Sequence, residues 1–390
     1  MTTDHGTGPL VRRGPLNGVL VLDLTHALSG PYCTMLLAEM GARVIKVEQP
    51  PAGDVGRYYP PEVDGQTEFF NAVNHGKESL LADLADPGDQ PLVRAIAERA
   101  DVLVENFRPG TLDAWGFGWD ELHARNPKLV YASISGYGQT GPEAWEGAYD
   151  VVIQAESGLM SVTGFPDGPP VLTGTSIADY LAGLNAFGAI SAALVQSRAT
   201  GEGSRVDIAM FDALLGILGA HVFGYLAAGI EPQRAGNLNP LATPFEIYEV
   251  DDGAVAICAP TDSGFAAFVE LLGRPELASD ERFAGVAPRL ANRDALRAEL
   301  ESALAGRTRD AVVELLQRGG VPAGSVRSVP EALESAQANA RRMVLDVEGT
   351  RLRIPGHPLH LSSVDDDPTR TRAAGLGAHP EALRAEFGFG

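Results

Sequence analysis

The chain has 390 residues, 45% of them hydrophobic and 21% charged, a globular composition with room for one large domain and a smaller one. Its 51 acidic side chains against 30 Lys and Arg leave a net charge of −21 at pH 7. That field disfavours nucleic acid and anionic membrane surfaces, so an anionic ligand needs a local positive patch.

Residues 1–18, MTTDHGTGPLVRRGPLNG, hold no apolar run behind their charges and read as a flexible lead-in, not a signal peptide. GVLVLDLT (Gly18 to Thr25) is a buried-strand run, SGPYCTMLLAEMG reads as a helix with Pro near its start and Gly at its end, and ARVIKVE is a second strand. Together they make a βαβ unit. DVLVENF (Asp101 to Phe107) and KLVYASISGYG (Lys128 to Gly138) add two strands, each behind a helical segment, which predicts a Rossmann-like parallel sheet covered by helices. Ser176 to about Ser197 reads as one helix rich in Ala, Gly and Leu.

Phe211 to Ile230 is an apolar helix of membrane-spanning length, but Asp212, His221 and several glycines assign it to a core or a subunit interface. GIEPQRAGNLNPLATP (Gly229 to Pro244) marks a boundary. A smaller α+β unit follows, opening on the hairpin FEIYEVDDGAVAICAP with Asp251-Asp252-Gly253 at its turn, and GGVPAGSV (Gly319 to Val326) reads as the return linker. The predicted domains are 1–228 with 327–390, and 229–326. Cys33 and Cys258 lie far apart, outside any Cys/His cluster, so neither a disulfide framework nor a metal site is expected. They read as ordinary cytosolic thiols.

Open α/β sheets bind ligands beyond the carboxyl ends of their strands. The first such loop is THALSGP, without GxGxxG, which argues against a nicotinamide cofactor although Glu48 ends the second strand where a dinucleotide fold keeps its ribose-binding acid. His26, Ser29 and Glu48 fit turn chemistry and strand capping as well. ENFRPG (Glu105 to Gly110) puts the Asn106 amide and the Arg108 cation at another strand end, suited either to an anionic ligand or to a solvated turn. In TGTSIADYLAG, Ser176 and Asp179 have capping-box spacing. The same first-turn position offers a carboxylate kept ionised by orphan N–H groups and the helix dipole, available as a covalent nucleophile.

GVLVLDLTHALSGPYCTMLLAEMGARVIKVEQPPAGD, LLADL, DVLVENFRPGTLDAWGFGWDELHARNPKLVYASISGYGQTGP, YDVVIQAESGLMSVTG, PPVLTGTSIADYLAGL and GVPAGSV, in this order, resemble the class III (CaiB/BaiF type) CoA-transferases over nearly the whole chain. The resemblance implies that Asp179 is the catalytic aspartate and that coenzyme A, or an acyl-CoA, is bound as a substrate with no permanent cofactor. It assigns CoA contacts to Leu28 and Ser29, to Gln49, to Ala82, Asp83 and Leu84, to Asn106, Phe107 and Arg108, and to Gly147, Ala148, Tyr149 and Asp150. It implies an interlocked homodimer, each chain threaded through a ring made by the other, with linkers near 230 and 325.

The implied reaction moves CoA from an acyl-CoA donor to a small carboxylic acid through an aspartyl anhydride and an aspartyl-CoA thioester. Backbone N–H groups of the Asp179 helix and nearby Gly turns are the expected oxyanion donors. Racemases of the superfamily carry His before the Asp of GHD; here the text is GAYD, and a phenol with a pKa of about 10 is a poor base, so transfer is favoured over epimerisation. A non-catalytic acyl-CoA binder is the other alternative. Leu28 replaces a glutamine of oxalate-handling members, and Gln49 and Ala114 replace arginines, which points away from a formyl-CoA/oxalate pair.

Overall fold

The computed structural model describes residues 13–364 and 367–389; residues 1–12 of the predicted lead-in lie outside them. The chain divides into two compact units, one of residues 1–160, 172–231 and 336–390, the other of residues 161–171 and 232–335. Residues 161–171, inside the stretch read as the large domain, thus cluster with the smaller unit.

The large unit is built on six parallel strands: β1 (Leu20–Asp23), β2 (Arg43–Glu48), β3 (Lys77–Leu81), β4 (Val102–Glu105), β5 (Val130–Ser135) and β6 (Ser204–Ala209). They lie in the order β3-β2-β1-β4-β5-β6, the doubly wound order whose direction reverses between β1 and β4. Alternate residues feed two cores: Val21, Val44 and Val104 on one face, Leu22, Ile45 and Leu103 on the other. Burial on both faces explains why β1 and β4 read as apolar runs.

Helix α1 (Ser29–Glu39) and helix α3 (Ile177–Thr200) cover the first face, and α2 (Gln90–Arg99) covers the second. On α3 the residues Ala178, Ala182, Ala186, Ile190 and Leu194 recur every four positions and are buried. Gly183 beside them makes a close crossing with α1 possible, since a Cβ there would lie 2.5 Å from the Ser29 carbonyl oxygen. By length and composition α3 could span a membrane, yet its buried stripe packs against the sheet.

Two sequence expectations are corrected here. Phe211–Ile230 is not one helix: α4 (Met210–Ile217) and α5 (Ala220–Ala228) meet at 77° around Gly219, whose φ of 51° suits glycine. No residue of α5 is buried, so the core reading fails for it. Strand β3 went unrecognised because its text, KESLL, leads with charge. Its exposed edge is sealed by the C-terminal segment, where the His379 N–H donates to Ser79 O at 3.1 Å, the Ser79 N–H to His379 Nδ1 at 3.1 Å, and the Gly377 N–H to Ser79 Oγ at 2.9 Å.

In the smaller unit the expected hairpin is present: β7 (Phe245–Val250) and β8 (Gly253–Cys258) pair antiparallel. The stretch read as a return linker instead contains β9 (Ala323–Ser325), which pairs with β8. Phe265, Phe268, Leu296, Leu300, Val312 and Leu316 from three helices close the core beneath them.

Candidate active site

Every strand of the large sheet ends on the same edge, and the residues singled out from the sequence follow those ends. A cavity of about 310 Å³ opens at the β1/β4 reversal, lined by His26, Asn106, Phe107, Arg108, Ser135, Gly136 and the 144–149 loop. It gathers six of the predicted CoA contacts: Asn106, Phe107 and Arg108, with Gly147, Ala148 and Tyr149. Close approach needs small residues: a Cβ on Gly136 would lie 2.3 Å from that of Ala148, and one on Gly147 2.8 Å from an Arg108 nitrogen. Among the described residues no carboxylate pairs with Arg108, which leaves its cation available to a ligand.

Leu28 is buried at the N-cap of α1. Gln49 is exposed at the end of β2, and Ala82 to Leu84 follow β3, with the Ala82 N–H donating to Glu48 O at 3.0 Å. None of these five lines the cavity. Glu48 holds structure here: its carboxylate takes Arg57 at 2.7 and 2.6 Å, Ser79 Oγ at 2.7 Å and the Asp54 N–H at 3.1 Å.

Asp179 sits in the first turn of α3, partly buried. Its predicted capping role is not made: Ser176 is the N-cap, and its side chain forms no capping hydrogen bond. The cap comes from elsewhere. Asp150, the first residue of a short helix (Asp150–Glu156), accepts the Ala178 N–H on Oδ1 at 2.8 Å and the Gln154 amide on Oδ2 at 2.7 Å. With that donor taken, and the Ile177 N–H donating to Thr175 O at 2.8 Å, two of the groups expected to ionise Asp179 or to serve as oxyanion donors are engaged.

The charge on Asp179 is therefore not stabilised as the sequence suggested. Burial, then the Asp150 carboxylate, raises its pKa to about 6, while the Ser29 hydroxyl and backbone N–H donate to it and pull the other way. A carboxylate with that pKa is ionised at neutral pH and more basic than an exposed one. Asp150 follows Tyr149, which lines the cavity, so one short segment both lines the cavity and holds the helix turn that carries Asp179. Tyr180, on the next position of α3, meets Tyr32 of α1 edge to face at 4.9 Å.

A model of CoA-transferase family III matches residues 16–380. The chain is 43% identical to an acetyl-CoA:oxalate CoA-transferase of Acetobacter aceti, over 98% of each chain. It is 39% identical to a succinyl-CoA:mesaconate CoA-transferase of Haloarcula hispanica, over 97% of each. Among solved structures, a CaiB/BaiF family protein from Brucella suis is 39% identical with a TM-score of 0.85, covering 96% of this chain and 100% of that one.

Proposed function

Because the chain belongs to CoA-transferase family III and is a CoA-transferase, we propose that it moves CoA from an acyl-CoA to a small carboxylic acid through covalent intermediates on Asp179. The observation that carries this reading is a single one. Asp179 is a partly buried carboxylate of raised pKa, steadied by two Ser29 donors, and the turn that carries it is held by Asp150, whose chain neighbour Tyr149 lines a cavity that offers Asn106 and an unpaired Arg108 to an anionic ligand.

The ionised Asp179 oxygen attacks the thioester carbonyl, forming an acyl-aspartyl anhydride and expelling CoA thiolate. The thiolate attacks the aspartyl carbonyl of that anhydride, releasing the donor carboxylate and leaving aspartyl-CoA thioester. The acceptor carboxylate attacks the same carbonyl, forming a second anhydride and expelling the thiolate again. Attack of the thiolate on the acceptor's carbonyl then gives the new acyl-CoA and frees Asp179. Charge is conserved at each step, and an anhydride is about as activated as a thioester.

The named relatives support short acyl donors and short dicarboxylic acceptors as the first panel. The same reading takes the enzyme as a cytosolic homodimer, threaded as in the resemblance, without nucleic-acid, membrane or metal partners. Two free thiols, Cys33 and Cys258, and the exposed apolar surface of α5 support this. The experiment is to incubate enzyme with acetyl-CoA or succinyl-CoA and each acid, quench with hydroxylamine, and read peptides by mass spectrometry. A hydroxamate on Asp179 that requires acyl-CoA is expected, with neither label nor transfer in Asp179→Ala. Transfer that survives in Asp179→Ala would end the covalent proposal.

A further inference from the structure

The loop between β1 and α1, Leu24 to Leu28, delivers Ser29 to Asp179, and the backbone of Thr25 to Ala27 is held by the nearby Asp23 and by three side chains remote in sequence, Lys46, Asp54 and Asn106. The Thr25 N–H donates to Asp23 Oδ1 at 2.9 Å, and Thr25 O accepts from Lys46 Nζ at 2.7 Å. The His26 N–H donates to Asn106 Oδ1 at 3.0 Å while His26 O accepts from the Asn106 amide at 2.9 Å. The Ala27 N–H donates to Asp54 Oδ1 at 3.0 Å. Ala27 itself has a φ of 63°, a left-handed conformation that a residue with a Cβ rarely adopts unless its surroundings impose it.

Two of those side chains pair with each other. Lys46 Nζ lies 2.9 Å from Asp54 Oδ2, both side chains being 1% exposed. Asp54 is anchored in turn by the Gly56 N–H at 2.8 Å and by its own N–H on Glu48. Asp23, Asp54 and Glu48 surround the Lys46 ammonium. A buried ion pair adds little to stability compared with an apolar pair of the same volume. This one is distinguished by the loop groups it also holds, Thr25 O by Lys46 and the Ala27 N–H by Asp54, on either side of His26. The groups that act on Asp179 directly are Asp150 and Ser29.

We propose that the Lys46–Asp54 pair is a positioning device for the transfer reaction: it fixes the Thr25–Ala27 backbone, and through it the Ser29 donors that meet Asp179. This rests on Asp179 being the nucleophile. Lys46 and Asp54 touch neither the reacting carboxylate nor the cavity, and both are positioning residues.

The test is steady-state transfer kinetics from acetyl-CoA or succinyl-CoA, whichever the panel shows to be the donor, for Asp54→Ala, Asp54→Asn, Asp54→Ala combined with Ala27→Gly, and Asp179→Ala. Asp54→Ala is expected to lower kcat on the order of 10- to 100-fold, the scale of a misplaced reacting group, with KM for acyl-CoA changed by less than about threefold. The acid limb of kcat/KM should move to higher pH as the Ser29 donors drift from the carboxylate. Asparagine, whose amide oxygen still accepts from Ala27, should recover to within about tenfold of wild type, because geometry sets the rate. Glycine at 27, which takes a positive φ freely, should restore part of the loss in the double variant. Wild-type kcat and acid limb in Asp54→Ala, with Asp179→Ala dead, overturn the inference and leave the covalent reading standing. Activity in Asp179→Ala overturns that reading itself. If Asp54→Ala does not fold, Lys46→Met, which removes the pair and the hydrogen bond to Thr25 O, takes its place, and a wild-type kcat and acid limb in that variant overturn the inference.

Discussion

Asp150 accepts the Ala178 N–H at 2.8 Å, one residue short of Asp179, so a single carboxylate starts the 24-residue helix α3 and also presses its charge on the neighbouring acid. Asp150→Asn keeps an oxygen for the cap and removes the charge. After burial, that charge is the next largest cause holding Asp179 near pKa 6. The acid limb of kcat/KM, which reports the free enzyme's ionisation, should therefore fall from about pH 6 by about half a unit to one unit, with little change in melting temperature. An acid limb that stays at 6 would show that burial alone sets the value.

Gly183 lies where α1 and α3 cross, and a Cβ there would come 2.5 Å from Ser29 O and 3.1 Å from a ring carbon of Tyr32. The first neighbour is backbone and has little room to yield. Gly183→Ala is expected to destabilise the protein by about 1–3 kcal/mol through overpacking, even though alanine favours helix by about 1 kcal/mol. It should also reduce kcat, because the strain falls on Ser29. Urea unfolding paired with transfer kinetics checks both effects; wild-type stability would mean that the crossing is looser than these distances imply.

On α5, Phe223 is 69% exposed and Leu226 76%, with Tyr225 and Ile230 beside them. The proposed homodimer would cover an apolar surface of that kind. Sedimentation is expected to give a dimer at micromolar concentration, with Phe223→Asp combined with Leu226→Asp shifting it toward monomer. A wild-type monomer would refute the homodimer.

The sheet was legible wherever burial on both faces wrote a largely apolar run, as in β1, β4 and β5 and, around the buried Lys46, in β2. It was illegible in β3, where Lys77 points inward. The Lys77 ammonium reaches Asp23 at 3.0 Å, Thr34 Oγ1 at 2.7 Å, Asn74 at 2.8 Å and Pro31 O at 3.0 Å, and burial lowers its pKa to about 8. A charged residue satisfied mostly by groups more than 40 residues away looks like a surface residue in sequence. Asp179 was indicated by its motif, but the groups that set its ionisation were not, because the Ala178 N–H assigned to it belongs to Asp150, 29 residues earlier. Lys46 and Asp54 left no local signal, since their partners are backbone groups about 20 to 27 positions away.

The outer edge of β3 is laid down early in the chain and sealed only by residues 377–379. During synthesis from the N-terminus, some 300 residues emerge while that edge has no pairing partner of its own chain. For this long interval the nascent sheet exposes a ready template to any neighbouring strand. A chain stopped short of residue 377 would never pass out of that state, though all six strands of the sheet and Asp179 would have been made.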